Sequence, residues 1–97
     1  MNLELSKAKK RISYLQKKLS SLGPVMRGSI VLIGTKNKQL YFSVNKNNKT
    51  SLIYLGKNRE GLAREYSKNY KKLLEIVEEM TELNMFVLKS IEKKLKK

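Results

Sequence analysis

The sequence feature that most constrains the fold is an apolar repeat over residues 62–95. Apolar side chains recur there at alternating steps of four and three residues, with Asn84 in the one polar slot of the series: Tyr66, Tyr70, Leu73, Val77, Met80, Val87 and Ile91. A seven-residue repeat of this kind forms a stripe along one side of an α-helix and packs against another helix. The pattern predicts one long helix over residues 59–95, with Asn58 as its N-cap.

A second repeat of the same kind predicts a shorter helix over residues 5–22. Its apolar positions are spaced by three and four residues: Leu5, Ala8, Ile12, Leu15, Leu19 and Leu22. Gly23 suits the left-handed conformation that ends many helices, and Pro24 cannot continue one. The two repeats therefore predict a pair of helices at opposite ends of the chain.

Between the helices the period changes, and three short runs are rich in β-branched and aromatic residues. They cover residues 29–33, 39–44 and 51–55, and the gaps between them hold glycine, asparagine and lysine. Gaps this short join only antiparallel strands. We predict a three-stranded meander over residues 28–56, with Leu40, Phe42 and Val44 on one face and Tyr41 and Ser43 on the other.

Together these elements predict an α+β fold of the order α-β-β-β-α. At 97 residues the chain is expected to form a single domain, residues 1–97. A domain of this size buries only about 60 to 65 per cent of its unfolded surface, so association would help to stabilise it.

The long helix carries more apolar surface than one partner helix covers. With Tyr70, Val77, Asn84 and Ile91 at heptad positions a, and Leu73, Met80 and Val87 at d, further apolar residues fall at e and g. We predict a homodimer through this helix, with Asn84 paired with its mate, and the predicted contact residues are Val77, Met80, Asn84, Val87 and Ile91. The alternative for Asn84 is burial within one chain. The same register places Glu75, Glu78, Glu79 and Glu82 on the outside of the helix, away from the seam.

The distribution of charge predicts an anionic partner. The formal net charge is +14, and the 13 Lys and Arg between Leu5 and Arg59 are not interrupted by a single acid. A sustained field of one sign attracts polyanions such as nucleic acid. The competing interpretation is an AT-rich genome, because 18 of the 22 basic residues are lysine, but such a bias does not explain the missing acids.

The sheet and its loops are the predicted nucleic-acid-binding site. A small antiparallel sheet fits the major groove, while basic loops hold phosphate. The predicted phosphate contacts are Arg27, Lys36, Lys38, Lys46, Lys49, Lys57 and Arg59, and the predicted base or sugar contacts are Tyr41, Ser43 and Ser51. DNA is favoured slightly over RNA, although exposed tyrosine also suits single-stranded bases. The competing interpretation is that the tyrosines complete the core, Tyr54 more so than Tyr41.

Composition argues against an enzyme. The sequence has no histidine, cysteine or aspartate, and no glycine-rich phosphate loop, so the usual acid-base pairs, nucleophiles and zinc ligands are missing. We predict no catalytic residue, no cofactor and no metal. No apolar run has the length of a membrane span, and a cytoplasmic protein is expected. The alternative functions are a protein-interaction module that uses the long helix and, third, association with a membrane surface.

Two resemblances support this outline. Three strands followed by a helix resemble the small DNA-binding domains of tyrosine integrases and of plant AP2-type factors. Short motifs at residues 23–29, 40–43, 54–57 and 82–84 resemble a family of small prokaryotic proteins of unknown function, some of which accompany mobile elements. That resemblance implies the α-β-β-β-α order and a prokaryotic origin, and it implies no functional residues.

Overall fold

The structure, a computed structural model, describes the backbone of residues 2–95 and the side chains of residues 3–91. The elements in chain order are α1 (Asn2–Ser20), β1 (Ser29–Ile33), β2 (Gln39–Lys46), β3 (Lys49–Tyr54) and α2 (Glu60–Leu95). This order confirms the predicted α+β fold, and β1 has the predicted bounds. Met1, Lys96 and Lys97 belong to the predicted domain but lie outside the described residues.

The chain divides into two compact units. Residues 23–71 form one, which we call the sheet unit, and the described parts of residues 1–22 and 72–97 form the other, which we call the helical unit. The single domain remains a prediction.

The sheet unit is built on an antiparallel meander of order β1-β2-β3. Phe42 of β2 lies opposite Ile30 of β1 and Ile53 of β3, so these side chains share one face. Phe42 is 2 % exposed and forms the core with Leu55 and with Ala63 of α2. The predicted division of β2 is confirmed, because Leu40 and Val44 pack against this core.

Backbone conformation at two turns follows from residue type. Asn47 and Asn48 have φ angles of 56° and 63° and lie between the paired residues Lys46 and Lys49, which makes a two-residue hairpin of the kind that asparagine tolerates. Gly28 has a φ of 143°, and a Cβ there would lie 2.4 Å from Phe42 Cε1. Only glycine therefore fits where the chain enters β1.

Two predicted helix ends are wrong in detail. Gly23 does not have a positive φ; it is instead closely packed, since a Cβ there would lie 2.9 Å from Asn69 Nδ2. At the start of α2 the carbonyl of Arg59 accepts the Ala63 N–H at 3.0 Å, so Arg59 rather than Asn58 is the N-cap. Local sequence identified the boundaries but not the residue that performs each cap.

The helical unit contains α1 and the part of α2 that follows Lys71. Ala8 and Leu15 of α1 are buried, and the other four apolar positions of its repeat are half-buried. The predicted seam of α1 is thus confirmed.

The seam of α2 differs from the prediction by one heptad position. The buried and half-buried stripe of this unit consists of Leu73, Ile76, Met80, Leu83 and Val87, which are positions d and g. Val77, Asn84 and Ile91, predicted as seam residues at position a, are exposed. The prediction of a seven-residue repeat was correct, but the choice of positions a and d as the packed stripe was wrong. Apolar residues occupy positions a, d, e and g, so the repeat alone does not decide which stripe is packed.

The rotation of the stripe also changes the environment of one glutamate. Glu79, predicted to lie away from the seam, accepts a hydrogen bond at 2.6 Å from Nε of Arg11 in α1, and a second one at 3.1 Å from Nη2. The hydrogen bond from Arg11 holds the pKa of Glu79 below its ordinary value, because it favours the charged carboxylate. Both side chains are close to half exposed, so the pair orients α1 on α2 more than it stabilises the unit.

Candidate nucleic-acid interface

The sheet has a second face, opposite the core, which we call the outer face. Residues directly opposite in the register project to the same side, so this face carries Ser29, Val31, Ile33, Gln39, Tyr41, Ser43, Leu52 and Tyr54. Leu52 is 51 % exposed and Tyr54 is 45 % exposed. The outer face is therefore an accessible surface of mixed aromatic, aliphatic and hydroxyl character.

Two tyrosines occupy the middle of this face. The rings of Tyr41 and Tyr54 meet edge to face, with centroids 5.5 Å apart and planes at 62°, and the Tyr54 hydroxyl donates to Gln39 Oε1 at 3.2 Å. Tyr41 is half-buried and Tyr54 is exposed. The expectation that Tyr54 is the more likely of the two to complete the core is thus wrong. Register explains this, because Tyr54 lies opposite Tyr41, on the outer face.

The two predicted serine contacts lie on different faces. Ser43 lies opposite Ser29 of β1 and Leu52 of β3, so it belongs to the outer face beside the tyrosines. Ser51 lies opposite Val44 and so projects from the core face. Ser51 is removed from the candidate interface, since no ligand on the outer face would reach its hydroxyl.

The predicted phosphate contacts fall at the two ends of the strands. Lys36 and Lys38 lie in the β1–β2 loop, and Lys57 follows β3 at that same end. Lys46 and Lys49 flank the β2–β3 hairpin at the opposite end, about 23 Å away at about 3.3 Å per residue along β2. They lie opposite each other in the same alternation as Val44 and Ser51, so both project from the core side of the sheet.

Arg27 belongs to the hairpin end of the sheet. Its Nη2 donates to the backbone carbonyl of Asn45 at 2.6 Å. The contact fixes the guanidinium close to Lys46 and leaves part of its hydrogen-bonding capacity free, because a guanidinium has five donors.

Arg59 has a different environment from the other basic residues. It lines an apolar cavity of about 110 Å³ beside the core, together with Met26, Phe42, Ile53 and Leu62. These neighbours belong to the core side of the sheet, so Arg59 is not part of the outer face. The cavity is small beside the 300 to 1,000 Å³ that is typical of ligand pockets, and we assign it no ligand.

The electrostatics of the sheet unit favour an anionic ligand. Residues 23–71 contain ten Lys or Arg and two Glu, a net charge of +8. Within the described part of the chain, the ion pair of this unit is Arg64 with Glu60 on α2, so the six basic residues at the ends of the strands have no acidic partner among the described residues. Four of them, Arg27, Lys36, Lys38 and Lys57, are available to a ligand on the outer face.

Sequence reasoning missed Leu52, Tyr54 and Gln39 as outer-face residues. Alternation along β3 places Leu52 with Tyr54 on one face and Ser51 with Ile53 on the other. The missing information was the register between β2 and β3, which decides the pair that joins Tyr41.

The predicted dimer residues divide between two surfaces of α2. Met80 and Val87 are half-buried in the stripe of the helical unit, whereas Val77, Asn84 and Ile91 are exposed. The alternative in which Asn84 is buried within one chain is wrong.

Comparison with protein-family models, with curated proteins and with solved structures finds no match to this chain. Across the described residues, no group of three or more acidic, histidine or cysteine side chains is placed to hold a metal ion. Neither described helix has an apolar stretch of the length that crossing a membrane requires.

Proposed function

We propose that this protein binds nucleic acid on the outer face of its sheet. The observation that carries the proposal is the Tyr41–Tyr54 pair on the outer face, with Tyr54 exposed, between basic residues at both ends of the strands, in a segment without acids from Arg27 to Arg59. Aromatic rings offer stacking surface to bases, and lysines at both ends of the strands offer contacts to phosphate. A general polyanion site would need the charge but not the rings.

Duplex DNA is the favoured ligand, and RNA is its competitor. Three strands spaced by about 4.8 Å make a surface about 10 Å wide, which enters a major groove about 12 Å wide. The lysines at the strand ends are then available to the phosphates on either side. Single-stranded RNA would instead lie across the face and stack on Tyr54.

The proposed role is binding rather than catalysis. It requires no cofactor and no metal, and a sequence without histidine, cysteine or aspartate lacks the groups that most enzymes use for proton transfer. Nucleic acid as the partner implies the cytoplasm as the proposed location.

Fluorescence anisotropy with labelled duplex DNA, single-stranded DNA and single-stranded RNA tests the proposal. Each lysine that neutralises a phosphate of duplex DNA adds about 0.9 to the slope of log Kobs against log salt concentration. The four basic residues beside the outer face, Arg27, Lys36, Lys38 and Lys57, therefore predict a slope of up to about −4. The double variant Lys36→Gln/Lys38→Gln is expected to reduce the slope by about 2, whereas Lys9→Gln/Lys10→Gln on α1 leaves it unchanged. Binding that does not respond to salt would contradict the proposal.

The tyrosines provide a matched test of stacking. Tyr54 and Tyr14 are 45 % and 47 % exposed, but Tyr14 lies on α1, where Arg11 and Lys18 already cover its ring at 4.9 and 5.7 Å. Loss of one stacked base costs about 1–3 kcal/mol, so Tyr54→Ala is expected to raise the Kd by about 5- to 150-fold. Tyr54→Phe retains the ring and most of the affinity. If Tyr14→Ala weakens binding as much as Tyr54→Ala does, the outer face is not the site.

A further inference from the structure

The helical unit leaves a second apolar stripe of α2 uncovered, which we call the open seam. Its residues are Leu74, Val77, Thr81, Asn84, Leu88 and Ile91, all exposed. Leu88 is 69 % exposed and Leu74 is 49 % exposed. Beside it lies a groove that Met80, Met85 and Leu19 of α1 help to line. Large exposed side chains in a continuous line mark a surface that is covered in the working molecule.

The spacing of the open seam indicates that a helix covers it. Its residues follow one another at steps of three and four, which is a seven-residue repeat at positions a and e. The stripe that α2 buries in its own unit runs at positions d and g. One helix with two interlaced heptad seams is built to pack against two helices, and α1 accounts for only one of them.

The polar members of the open seam suit a symmetric partner. The Thr81 hydroxyl already donates to the carbonyl of Val77 at 2.7 Å, so it is satisfied within the helix when it becomes covered. The side-chain amide of Asn84 has no hydrogen bond to another described residue, and Asn84 lies near the middle of the open seam. A second Asn84 across a two-fold axis supplies one donor and one acceptor to each amide, whereas an unrelated apolar helix would leave both unpaired.

Charge also favours a second copy over other partners. Residues 72–91 of α2 contain four glutamates and two lysines, a net charge of −2, whereas residues 1–22 contain six Lys or Arg and one Glu, a net charge of +5. Glu78 borders the open seam, since it lies four residues from Leu74 and three from Thr81. The accessible surface of α1 carries Lys7, Lys9, Lys10, Lys17 and Lys18, so each copy has one basic and one acidic helix, and a second copy supplies charge of the opposite sign to both.

We propose that the open seam is the dimer interface of this protein, formed with a second copy about a two-fold axis close to Asn84. The contact is isologous, so each residue of the open seam on one protomer meets the open seam of its partner. Because α2 is already helical, association does not bear the cost of ordering the helix. The sequence-based prediction placed Met80 and Val87 in the dimer interface, and the open seam has Leu74 and Leu88 in their place. The proposed interface does not depend on the proposed nucleic-acid binding.

Sedimentation equilibrium of the whole chain tests the interface. The expected mass at tens of micromolar is twice the 11.3 kDa of one chain. Leu88→Glu is expected to raise the dissociation constant at least about 100-fold, because each dimer loses two buried leucines, with an unchanged helical CD spectrum. Lys89→Glu, one residue along and outside the open seam, leaves the dimer intact. An 11.3 kDa species for the parent chain, or a Leu88→Glu dimer as stable as the parent, overturns the proposal.

Cysteine cross-linking locates the axis. The chain has no cysteine, so a single substitution gives an unambiguous disulfide. Asn84→Cys is expected to form a covalent dimer under mild oxidation, since a disulfide needs Cα atoms about 4.4–6.8 Å apart. Glu82→Cys lies on the side of α2 away from the open seam and is expected to form no covalent dimer under the same conditions. Equal cross-linking of the two variants would contradict a seam centred on Asn84, and so would capture of a different protein in place of the second copy.

Discussion

Replacement of Gly28 by alanine is the strictest test of the sheet unit. Gly28 has a φ of 143°, and an added Cβ would lie 2.4 Å from Phe42 Cε1 and 2.6 Å from the carbonyl oxygen of Ser43. Contacts under 3.0 Å essentially never occur for real Cβ atoms. Either β1 moves away from β2, or Phe42 leaves its position in the core.

Two costs add at this position. A left-handed or otherwise strained backbone costs a non-glycine residue about 1–3 kcal/mol, and overpacking of a filled core costs about 1–3 kcal/mol. Gly28→Ala is therefore expected to reduce the free energy of unfolding by about 2–6 kcal/mol, out of the roughly 5–15 kcal/mol that a domain of this size has. At an m-value of about 1–3 kcal/mol per molar urea, the unfolding midpoint falls by about 2 M.

Gly61 supplies the matched control, because Gly61→Ala is expected to increase the free energy of unfolding, whereas Gly28→Ala reduces it. Nothing lies within 4 Å of a Cβ at Gly61, and the residue is exposed in the first turn of α2. Alanine in place of glycine stabilises a helix by about 0.5–1 kcal/mol. Urea titrations followed by CD at 222 nm and by tyrosine fluorescence would measure both variants. A Gly28→Ala variant within about 0.5 kcal/mol of the parent chain would refute the close approach of Gly28 to Phe42.

Two further substitutions test single contacts. Arg11 lowers the pKa of Glu79, so this pair stabilises the fold above the ordinary pKa of a glutamate, and the contribution is lost as the pH falls through the lowered folded-state value. Glu79→Gln is expected to reduce the loss of urea resistance between neutral and acidic pH, while Glu75→Gln retains it; identical profiles would contradict the ion pair. Asn69 is 9 % exposed, and its Nδ2 donates to the Pro24 carbonyl at 2.9 Å. Asn69→Leu leaves that carbonyl unpaired and is expected to cost about 1–3 kcal/mol in urea unfolding, against less than about 0.5 kcal/mol for Asn58→Leu at the surface.

The elements of this chain could be predicted from sequence because local patterns determine them. The change from a helical period to runs such as 29–33, and the asparagines at the β2–β3 hairpin, act within a few residues. The α-β-β-β-α order follows from those signals alone. The apolar repeat of α1 was also sufficient, because this helix has one apolar stripe and therefore one way to pack.

The predictions that were wrong concern two places where the sequence fits two arrangements equally well, the packed stripe of α2 and the face of β3. In α2 the stripes at d and g and at a and e are both apolar, and only tertiary contact with α1 decides between Ile76 and Val77. In β3 the alternation separates Ser51 from Tyr54, but the register with β2 decides which of them joins Tyr41. The wrong prediction for Glu79 has the same cause as that for α2. Because α2 packs through positions d and g, the carboxylate of Glu79 lies within hydrogen-bonding distance of Arg11.

The two proposed surfaces suit different ligands. The outer face belongs to a segment with a net charge of +8, whereas the open seam lies on a stretch of α2, residues 72–91, with a net charge of −2. A polyanion is therefore attracted more strongly to the outer face than to α2, while the apolar residues of the open seam suit a second copy. Two copies joined at the open seam present two basic faces, which raises the apparent affinity for a nucleic acid long enough to engage both. Leu88→Glu should then weaken binding to long nucleic acids and leave binding to short ones unchanged, whereas Tyr54→Ala weakens both.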